Sequence, residues 1–291
     1  MGKRVLAGLI VGACWLAVLL FAPGWLLFLL LLAMTCRCQY EFYGMLRDGA
    51  PRTVCSPVWG MAMGSVWLLF CFLFPYGHPV SAYGDAVLGA LLFVFLLRVM
   101  FLPKPARSLQ YAAVTLLGFF YLPFMLVFFI RLAQWGATGI GELSPNRTGI
   151  YLALYLAILV KFNDVGGLAF GIPFGKHKLL PEISPKKSWE GFFGGLLFCL
   201  SFGVGLVALA HACPTLPLAP LQQLSYAQAA AIAGALAVFG LLGDLIESHF
   251  KRLAEVKDSA PLLPGMGGIL DMFDSLVFAP AFFYFCLKWI L

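Results

Sequence analysis

The feature that most constrains the fold is a series of apolar runs of about 20 residues that recurs along the chain. A helix of that length crosses the hydrocarbon core of a bilayer, where every backbone polar group must be bonded internally. Of the 291 residues, 62% are apolar and only 11% are charged. A soluble domain carries about twice that charged fraction. The sequence therefore predicts an all-α, polytopic helical membrane protein.

Apolar runs and their proline and glycine boundaries predict about nine transmembrane helices. Lys3 and Arg4 precede the first run without a small-residue cleavage site after it, so we expect a retained helix rather than a signal peptide. The predicted helices cover residues 5–21, 23–36, 57–75, 85–102, 108–131, 149–170, 189–211, 226–247 and 270–289.

The orientation follows from the lysine and arginine residues. If the N-terminus is cytoplasmic, all but four of the 19 fall in cytoplasmic loops. Cytoplasmic loops of membrane proteins carry this excess of basic residues, so we predict a cytoplasmic N-terminus and a C-terminus outside. The same rule accounts for the net charge of +6 without nucleic acid as a partner.

Acidic residues divide the predicted single membrane domain, residues 1–291, into two parts. Four acids occur up to about residue 145, and nine follow it, within or next to the cytoplasmic ends of the last four spans. We expect residues 1–145 to form scaffold and lipid-facing helices, and residues 146–291 to form the catalytic half with a polar site on the cytoplasmic face.

Three polar clusters carry the candidate chemistry. The first is Lys161, Asn163 and Asp164 inside a predicted span, where polar side chains are costly and usually functional. Lys161 and Asp164 are three residues apart, so a simple intrahelical pair is the structural alternative. The second is the basic segment 171–190, which is either a phosphate-binding loop or a solvated cytoplasmic loop.

The third cluster, residues 243–274, is the densest polar stretch of the chain. If the eighth helix continues until Pro261, residues 244, 248, 251, 255 and 258 share one face. A glycine-rich loop follows, and Asp271 and Asp274 then open the last helix three residues apart. Acids at a helix start have an ordinary electrostatic explanation.

Five aspartates, however, are expected at a similar membrane depth and would repel one another. Hard divalent cations bound by carboxylates relieve such repulsion, and Mg²⁺ commonly bridges substrate phosphates as well. Nearby lysines and an arginine suit the phosphates. The pattern indicates metal-assisted chemistry on a phosphorylated substrate at a membrane surface. The five are Asp164, Asp244, Asp258, Asp271 and Asp274.

These motifs resemble the signature of the phosphatidate cytidylyltransferases, or CDP-diacylglycerol synthases. The upstream segments Gly243–Asp244–Leu245, Glu247–Ser248 and Ser184–Pro185–Lys186–Lys187 look like the same family, and so does Asp164 followed by Gly175–Lys176. Met266 and Met272 depart from the histidine and arginine usual in the family. The matching signature residues are Ser248, Lys251, Arg252, Lys257, Asp258, Pro264, Gly265, Gly267, Gly268, Asp271 and Asp274.

The resemblance implies that phosphatidate attacks the α-phosphorus of CTP to give CDP-diacylglycerol and pyrophosphate. As an expectation, Asp244 and Asp271 are the principal ligands of Mg²⁺, supported by Asp274 and Asp258, with a second cation left open. Basic residues would hold phosphates, and the remaining residues would bind the nucleotide or the lipid headgroup. The basic set is Lys251, Arg252 and Lys257; the substrate-binding set is Asn163, Asp164, Ser184, Lys186, Lys187, Ser248, Gly267 and Gly268.

Three alternatives remain open: a membrane kinase of a polyprenol or other lipid alcohol, a cation-coupled transporter using Lys161 and Asp164, and a non-catalytic relative in view of Met266 and Met272. The absence of an inverted repeat speaks against transport. Compact length and the lack of an N-terminal cytosolic extension favour a bacterial plasma membrane. The active site would face the cytoplasm, because CTP is cytosolic and phosphatidate lies in the bilayer. The resemblance also makes a homodimer plausible.

Overall fold

A computed structural model describes residues 17–49, 53–102, 105–213, 218–261 and 267–290. Residues 17–21 are helical, and three short 3₁₀ turns lie at Pro79–Tyr83, Pro145–Arg147 and Asp274–Leu276. The α-helices are α1 (Gly24–Asp48), α2 (Pro57–Leu73), α3 (Gly84–Met100), α4 (Pro105–Tyr121), α5 (Pro123–Ala133), α6 (Thr148–Phe174), α7 (Trp189–Ala212), α8 (Ala219–Gln222), α9 (Tyr226–Leu253), α10 (Ile269–Phe273) and α11 (Ala279–Ile290).

The predicted all-α membrane architecture is confirmed. Seven helical segments among the described residues are long and apolar enough to cross a bilayer, and α2 is a shorter apolar helix. The predicted spans from 23–36 onward each coincide with helix, while most of the first, 5–21, lies outside the described residues. The total of nine crossings and the sides on which the termini lie stay predictions.

Two of the predicted spans are interrupted. Pro123 starts α5 where the sequence predicted one helix over residues 108–131, because proline lacks the N–H that would continue the backbone ladder of α4. The last span is built from α10, a 3₁₀ turn and α11. This interruption separates Asp271, in α10, from Asp274, which begins the 3₁₀ turn.

The chain divides into two compact units, and each is described by itself. Unit 1 comprises the residues up to Leu143 together with Phe250–Phe273. Unit 2 comprises Ser144–His249 together with Asp274–Leu291. The predicted division at residue 145 into a scaffold and a catalytic half stays a prediction.

The core of unit 1 surrounds Tyr43 of α1, which is fully buried. Its hydroxyl donates to the Thr115 carbonyl oxygen at 2.7 Å, so the one polar atom of the ring is satisfied inside the helix bundle. Gly60 of α2 and Gly118 of α4 flank the ring, and a Cβ at either position would overlap it. Small residues therefore let three helices close around one aromatic side chain.

The core of unit 2 is the close packing of α6 on α7. A Cβ on Gly166 would meet the Gly194 carbonyl oxygen at 2.7 Å, and one on Gly191 would meet the Gly167 carbonyl oxygen at 2.9 Å. Backbones approach this closely only where side chains are absent, which is how small residues drive helix packing in a bilayer. The contact fixes the end of α6 and the start of α7 relative to each other.

Segment 171–190, predicted as a loop, contains a β-hairpin. Strand β1 (Lys178–Leu180) pairs antiparallel with β2 (Ser184–Ser188). The turn between them closes through a hydrogen bond from the Ile183 N–H to the Leu180 carbonyl oxygen at 3.2 Å. Because the hairpin joins α6 to α7, the packed helix pair holds both of its ends.

Candidate active site

Three acidic side chains of unit 2 converge on one point. Asp244 and Glu247 lie three residues apart on α9 and share a face, and Asp274 comes from the 3₁₀ turn. One carboxylate oxygen from each lies within 4.8 Å of the other two. Asp274 can come this close because Gly243 has no Cβ, which would overlap the Asp274 carbonyl oxygen. Glu247 is fully buried and the two aspartates are partly exposed.

Cationic and hydroxyl groups offset part of this negative charge. The Lys187 ammonium lies 2.6 Å from Asp244 Oδ2, and the Ser248 hydroxyl donates to Asp244 Oδ1 at 3.3 Å. Asp274 Oδ1 accepts the Ser275 N–H at 2.5 Å. The acidic cluster is thus tied to the hairpin through Lys187.

A second network of unit 2 includes the polar residues of α6. Lys161 pairs with Asp164 at 3.4 Å, which is the intrahelical pair given above as the structural alternative. The Ser275 hydroxyl lies 3.2 Å from Asp164 Oδ2 and 3.3 Å from the Lys161 ammonium. Asn163 is buried and donates to the Ala237 carbonyl oxygen of α9 at 3.3 Å. These bonds provide polar partners for Lys161, Asn163 and Asp164, three side chains that lie in a candidate membrane span.

A cavity of about 760 Å³ opens between α6, the hairpin, α7 and α9. One part of its wall is polar and basic, another is apolar, and glycines leave room between them. A cavity with these two kinds of wall suits a ligand that is anionic at one end and hydrocarbon at the other. Its lining includes Asn163, Asp164, Lys178, Ser184, Lys186, Lys187, Asp244, Leu168, Ile172, Phe192, Leu241, Gly167, Gly171, Gly175 and Gly191.

Local bonds explain why the hairpin presents its lysines to this cavity. Ser188 ends β2 and caps α7, accepting the Gly191 N–H at 3.2 Å. Glu190, in the first turn of α7, accepts the His177 N–H at 3.2 Å and lies 2.6 Å from the His177 ring nitrogen. These bonds hold the base of the hairpin, where β2 meets α7, against the first turn of α7.

The cluster of Asp244, Glu247 and Asp274 fits a hard divalent cation. The three side chains offer only carboxylate oxygens, the ligand chemistry that Mg²⁺, Mn²⁺ and Ca²⁺ prefer. Three acids this close repel one another in a medium of low dielectric constant, and a bound cation removes that repulsion. The donor set thus supports a divalent cation at this place in unit 2.

A separate polar cluster lies within unit 1, around Asp271 of α10. The Lys251 ammonium bonds Asp271 Oδ1 at 2.6 Å. Asp271 Oδ2 accepts the Gly268 N–H at 2.7 Å, the Ser259 N–H at 2.9 Å and the Ser259 hydroxyl at 2.8 Å. Gly267 has φ +81°, and a Cβ there would overlap Asp271 Oδ2. The glycine is needed both for its conformation and for its space.

The polar stripe predicted along an extended eighth helix is wrong beyond residue 253. Helix α9 ends at Leu253 because the Val256 N–H bonds the Lys251 carbonyl oxygen and the Glu255 N–H bonds the Arg252 carbonyl oxygen. With Glu255 at φ 55°, these bonds form a Schellman ending. Residues 255 and 258 therefore leave the helix face that carries Asp244 and Ser248.

Comparison with known proteins identifies the family of this chain. The family model described as "Cytidylyltransferase family" matches residues 2–290. The chain belongs to the cytidylyltransferase family. Three relatives that match about half of this chain carry the name phosphatidate cytidylyltransferase.

The relative from Bacillus subtilis (strain 168) is 41% identical over 142 residues, which are 49% of this chain and 49% of that protein. The relative from Staphylococcus haemolyticus (strain JCSC1435) is 41% identical over 135 residues, 46% of this chain and 48% of that protein. The relative from Staphylococcus aureus (strain COL) is 44% identical over 134 residues, 45% of this chain and 46% of that protein. The chain thus spans about half the length of the curated relatives it matches.

Several residues predicted from the family resemblance meet in unit 2. Asp244 and Asp274 share the acidic cluster, and Ser248 bonds Asp244. Of the four predicted metal ligands, the other two, Asp258 and Asp271, belong to unit 1, so their ligand roles stay predictions. The predicted substrate-binding residues that line the cavity are Asn163, Asp164, Ser184, Lys186 and Lys187.

The predicted site residues of unit 1 have diverse surroundings. Lys251 is partly buried against Asp271, while Arg252, Lys257 and Asp258 are exposed. Gly267 and Gly268 form the turn that Asp271 holds. Met266 lies outside the described residues, and Met272 lies in α10.

The predicted site omitted two acids that the structure makes prominent. Glu247 completes the acidic cluster, and its spacing of three residues from Asp244 on a helix was the available signal. Glu41 of α1 is buried and bonded to Ser259 and Leu270. The predicted span ended at residue 36, so the sequence placed Glu41 outside the helix and gave no signal of its burial.

Proposed function

We propose that this protein is a phosphatidate cytidylyltransferase, which converts CTP and phosphatidate to CDP-diacylglycerol and pyrophosphate. One observation carries the proposal: Asp244 belongs to the acidic cluster and also lines the cavity that holds Lys186 and Lys187. A place for a divalent cation and a place for phosphate groups are thus adjacent in unit 2. Membership of the cytidylyltransferase family and the printed names of the relatives support the same reaction.

The reaction exchanges one phosphorus–oxygen bond for another. An oxygen of the lipid phosphate attacks the α-phosphorus of CTP, and the bond from that phosphorus to the bridging oxygen breaks. The bridging oxygen keeps the electron pair and leaves as part of pyrophosphate. A phosphate monoester is a competent nucleophile near neutral pH, so the protein needs no strong general base. Its main tasks are to bring two anions together and to stabilise the charge that moves onto the leaving group.

The cavity residues of unit 2 suit those tasks. Lys186, Lys187 and the Ser184 hydroxyl would bind phosphate oxygens. The apolar wall around Leu168 and Ile172 would contact the hydrocarbon part of the lipid. Asn163 and Asp164 would line the polar end, where their bonds to α9 and Ser275 hold them in place.

Asp244, Glu247 and Asp274 are the residues that would hold Mg²⁺ in unit 2. When bound, a divalent cation supplies charge neutralisation for the phosphates and for the developing negative charge. Lys251, Arg252, Lys257, Asp258 and Asp271 keep their predicted roles in phosphate and metal binding as part of the proposal. A second cation and a homodimer are further parts of it, taken from the family resemblance.

The proposed location is a bacterial plasma membrane, with the site facing the cytoplasm. The bacterial relatives and the apolar helices support a bacterial multi-pass membrane protein. The cytoplasmic side follows from the distribution of basic residues and from the cytosolic source of CTP.

The test uses purified protein in mixed micelles with phosphatidate, Mg²⁺ and CTP labelled in one phosphate. Label in the α-phosphate should enter the lipid, and label in the γ-phosphate should leave as pyrophosphate. Asp244→Asn serves as the inactive control.

Each alternative is tested by a change in the assay. With diacylglycerol or a polyprenol in the micelles in place of phosphatidate, transfer of the γ-label to that lipid would identify a lipid kinase. No lipid labelling under any divalent-cation condition would overturn the enzyme proposal. Uptake assays in proteoliposomes would then test the transporter alternative.

A further inference from the structure

Glu41 is a buried acid in the half of the chain expected to serve as scaffold. It lies in the C-terminal half of α1 and is only 2% exposed. A carboxylate in this environment is unfavourable unless charged or hydrogen-bonding partners surround it. Arg37, one turn earlier on α1, supplies the opposite charge at 3.0 Å. The remaining partners come from the other segment of unit 1, residues 250–273.

Both oxygens of Glu41 bind the start of α10. Oε1 accepts the Ile269 N–H at 3.2 Å, and Oε2 accepts the Leu270 N–H at 2.9 Å. These two backbone groups have no partner within so short a helix, so the acid fixes both the position and the direction of α10. Oε2 also lies 3.1 Å from the Ser259 hydroxyl.

Ser259 links Glu41 to Asp271. Its hydroxyl lies within bonding distance of both carboxylates, at 3.1 Å from Glu41 and 2.8 Å from Asp271. A Cβ on Gly268 would overlap both Ser259 Oγ and Glu41 Oε2, so the backbone passes directly between the groups. Glu41 of α1 and Asp271, an acid of the family signature, therefore hold the short turn at Gly268 from two sides.

We propose that Glu41 is a positioning residue for the reaction. It fixes residues 268–270, and this orients Asp271 and the Lys251 ammonium bonded to it. The inference rests on the proposed function, in which Lys251 and Asp271 take part. It assigns an active role to α1, which the sequence placed in the scaffold.

The charge of Glu41, rather than mere polarity, is what this role requires. Three donors face its two oxygens, Arg37 and the Ile269 and Leu270 N–H groups. The single hydroxyl hydrogen of Ser259 is shared between Glu41 and Asp271. A glutamine offers only one acceptor oxygen, and its NH₂ group would face donors. Gln39, also buried on α1, binds the Gly60 carbonyl oxygen of α2 instead, at 3.0 Å. It provides a matched control that disturbs the same helix without touching α10.

The experiment compares Glu41→Gln with Gln39→Leu in the purified full-length protein. For Glu41→Gln we expect kcat to fall about tenfold to a hundredfold, with both KM values within about threefold of wild type. For Gln39→Leu we expect a lower Tm but a kcat within about twofold. Glu41→Asp keeps the charge and shortens the side chain, so it should fold and still lower kcat. An unchanged kcat in folded Glu41→Asp or Glu41→Gln would overturn the proposal, as would equal losses in Gln39→Leu.

Hydrogen–deuterium exchange separates this proposal from the proposed reaction. In Glu41→Gln, amides of residues 267–273 should exchange faster than in Gln39→Leu. If the wild-type protein makes no CDP-diacylglycerol, the proposed reaction is wrong. The exchange measurement would still decide whether Glu41 holds the turn. Unchanged exchange at residues 267–273 would contradict that role.

Discussion

Lys187 and Asp244 form an ion pair of 2.6 Å that joins the β-hairpin to α9 inside unit 2. Both side chains line the same cavity and are partly exposed, at 21% and 30%. The pair places an ammonium group suited to phosphate directly against a carboxylate suited to a cation. When a substrate arrives with a divalent cation, two new pairs can replace this one. The phosphate then pairs with Lys187, and the cation pairs with Asp244.

Replacing Lys187 by alanine should therefore affect both the phosphate, which loses its lysine, and Asp244, which loses its ion-pair partner. We expect kcat/KM for CTP to fall about tenfold to a hundredfold, because a phosphate loses a charge-assisted hydrogen bond and Asp244 loses its counter-ion. Initial-rate kinetics on folded protein measure the change. Lys176→Ala is the matched control, since Lys176 is exposed nearby and is not among the residues lining the cavity. Equal effects of the two substitutions would show that only overall loop charge matters.

Asparagine at position 244 or 274 should weaken divalent-cation binding on the order of tenfold or more, since each removes one carboxylate of the cluster. Titration with Mn²⁺, followed by electron paramagnetic resonance, measures this without turnover. Asp85→Asn is the control, because Asp85 is an exposed acid at the start of α3. Chelation by EDTA should abolish wild-type activity, and added Mg²⁺ should restore it. Undiminished Mn²⁺ affinity in both variants would reject the cluster as the cation site.

Hydropathy predicted most of the helices within a few residues, because the requirement to bond every backbone group inside a bilayer leaves few other structures. Hydropathy failed where local hydrogen bonds decide where a helix ends or whether a loop forms strands. The Schellman ending at Glu255 stops α9 well before Pro261, and a glutamate is a rare residue in that left-handed position. Charge and glycine content did not distinguish the β-hairpin from a loop, because its two strands are short.

Part of the candidate site was predictable from the sequence. Asp244 and Asp274 were among the aspartates expected at a similar membrane depth, and the family resemblance added roles for Lys186 and Lys187; the structure brings these residues to one cavity or cluster. The role of Glu41 depends on contacts with Ser259 and Leu270, more than 200 positions away in the chain. Hydropathy and spacing contain no information on such a contact, because it exists only once the fold has formed.

The packing of α6 on α7 should be sensitive to a single methyl group. Gly166→Ala places a Cβ 2.7 Å from the Gly194 carbonyl oxygen and 2.9 Å from Phe198, so the helices must move apart. We expect a loss of about 1–3 kcal/mol in stability, seen as a lower Tm in detergent. Gly205→Ala, on the same α7, meets nothing within 4 Å and should instead raise stability by about 0.5–1 kcal/mol through helix propensity. The opposite signs distinguish close packing from a general effect of glycine replacement.

The orientation of the cavity can be tested with introduced cysteines. If the basic loops are cytoplasmic, Lys178→Cys in β1 should react with a membrane-impermeant thiol reagent in inside-out vesicles. Thr138→Cys, exposed in the segment after α5, should react in right-side-out vesicles instead. The parent protein supplies the background; burial raises the pKa of its Cys55 thiol to about 11, so that thiol stays protonated and unreactive near pH 7. Labelling of Lys178→Cys from the outside would place the hairpin on the wrong side for cytosolic CTP.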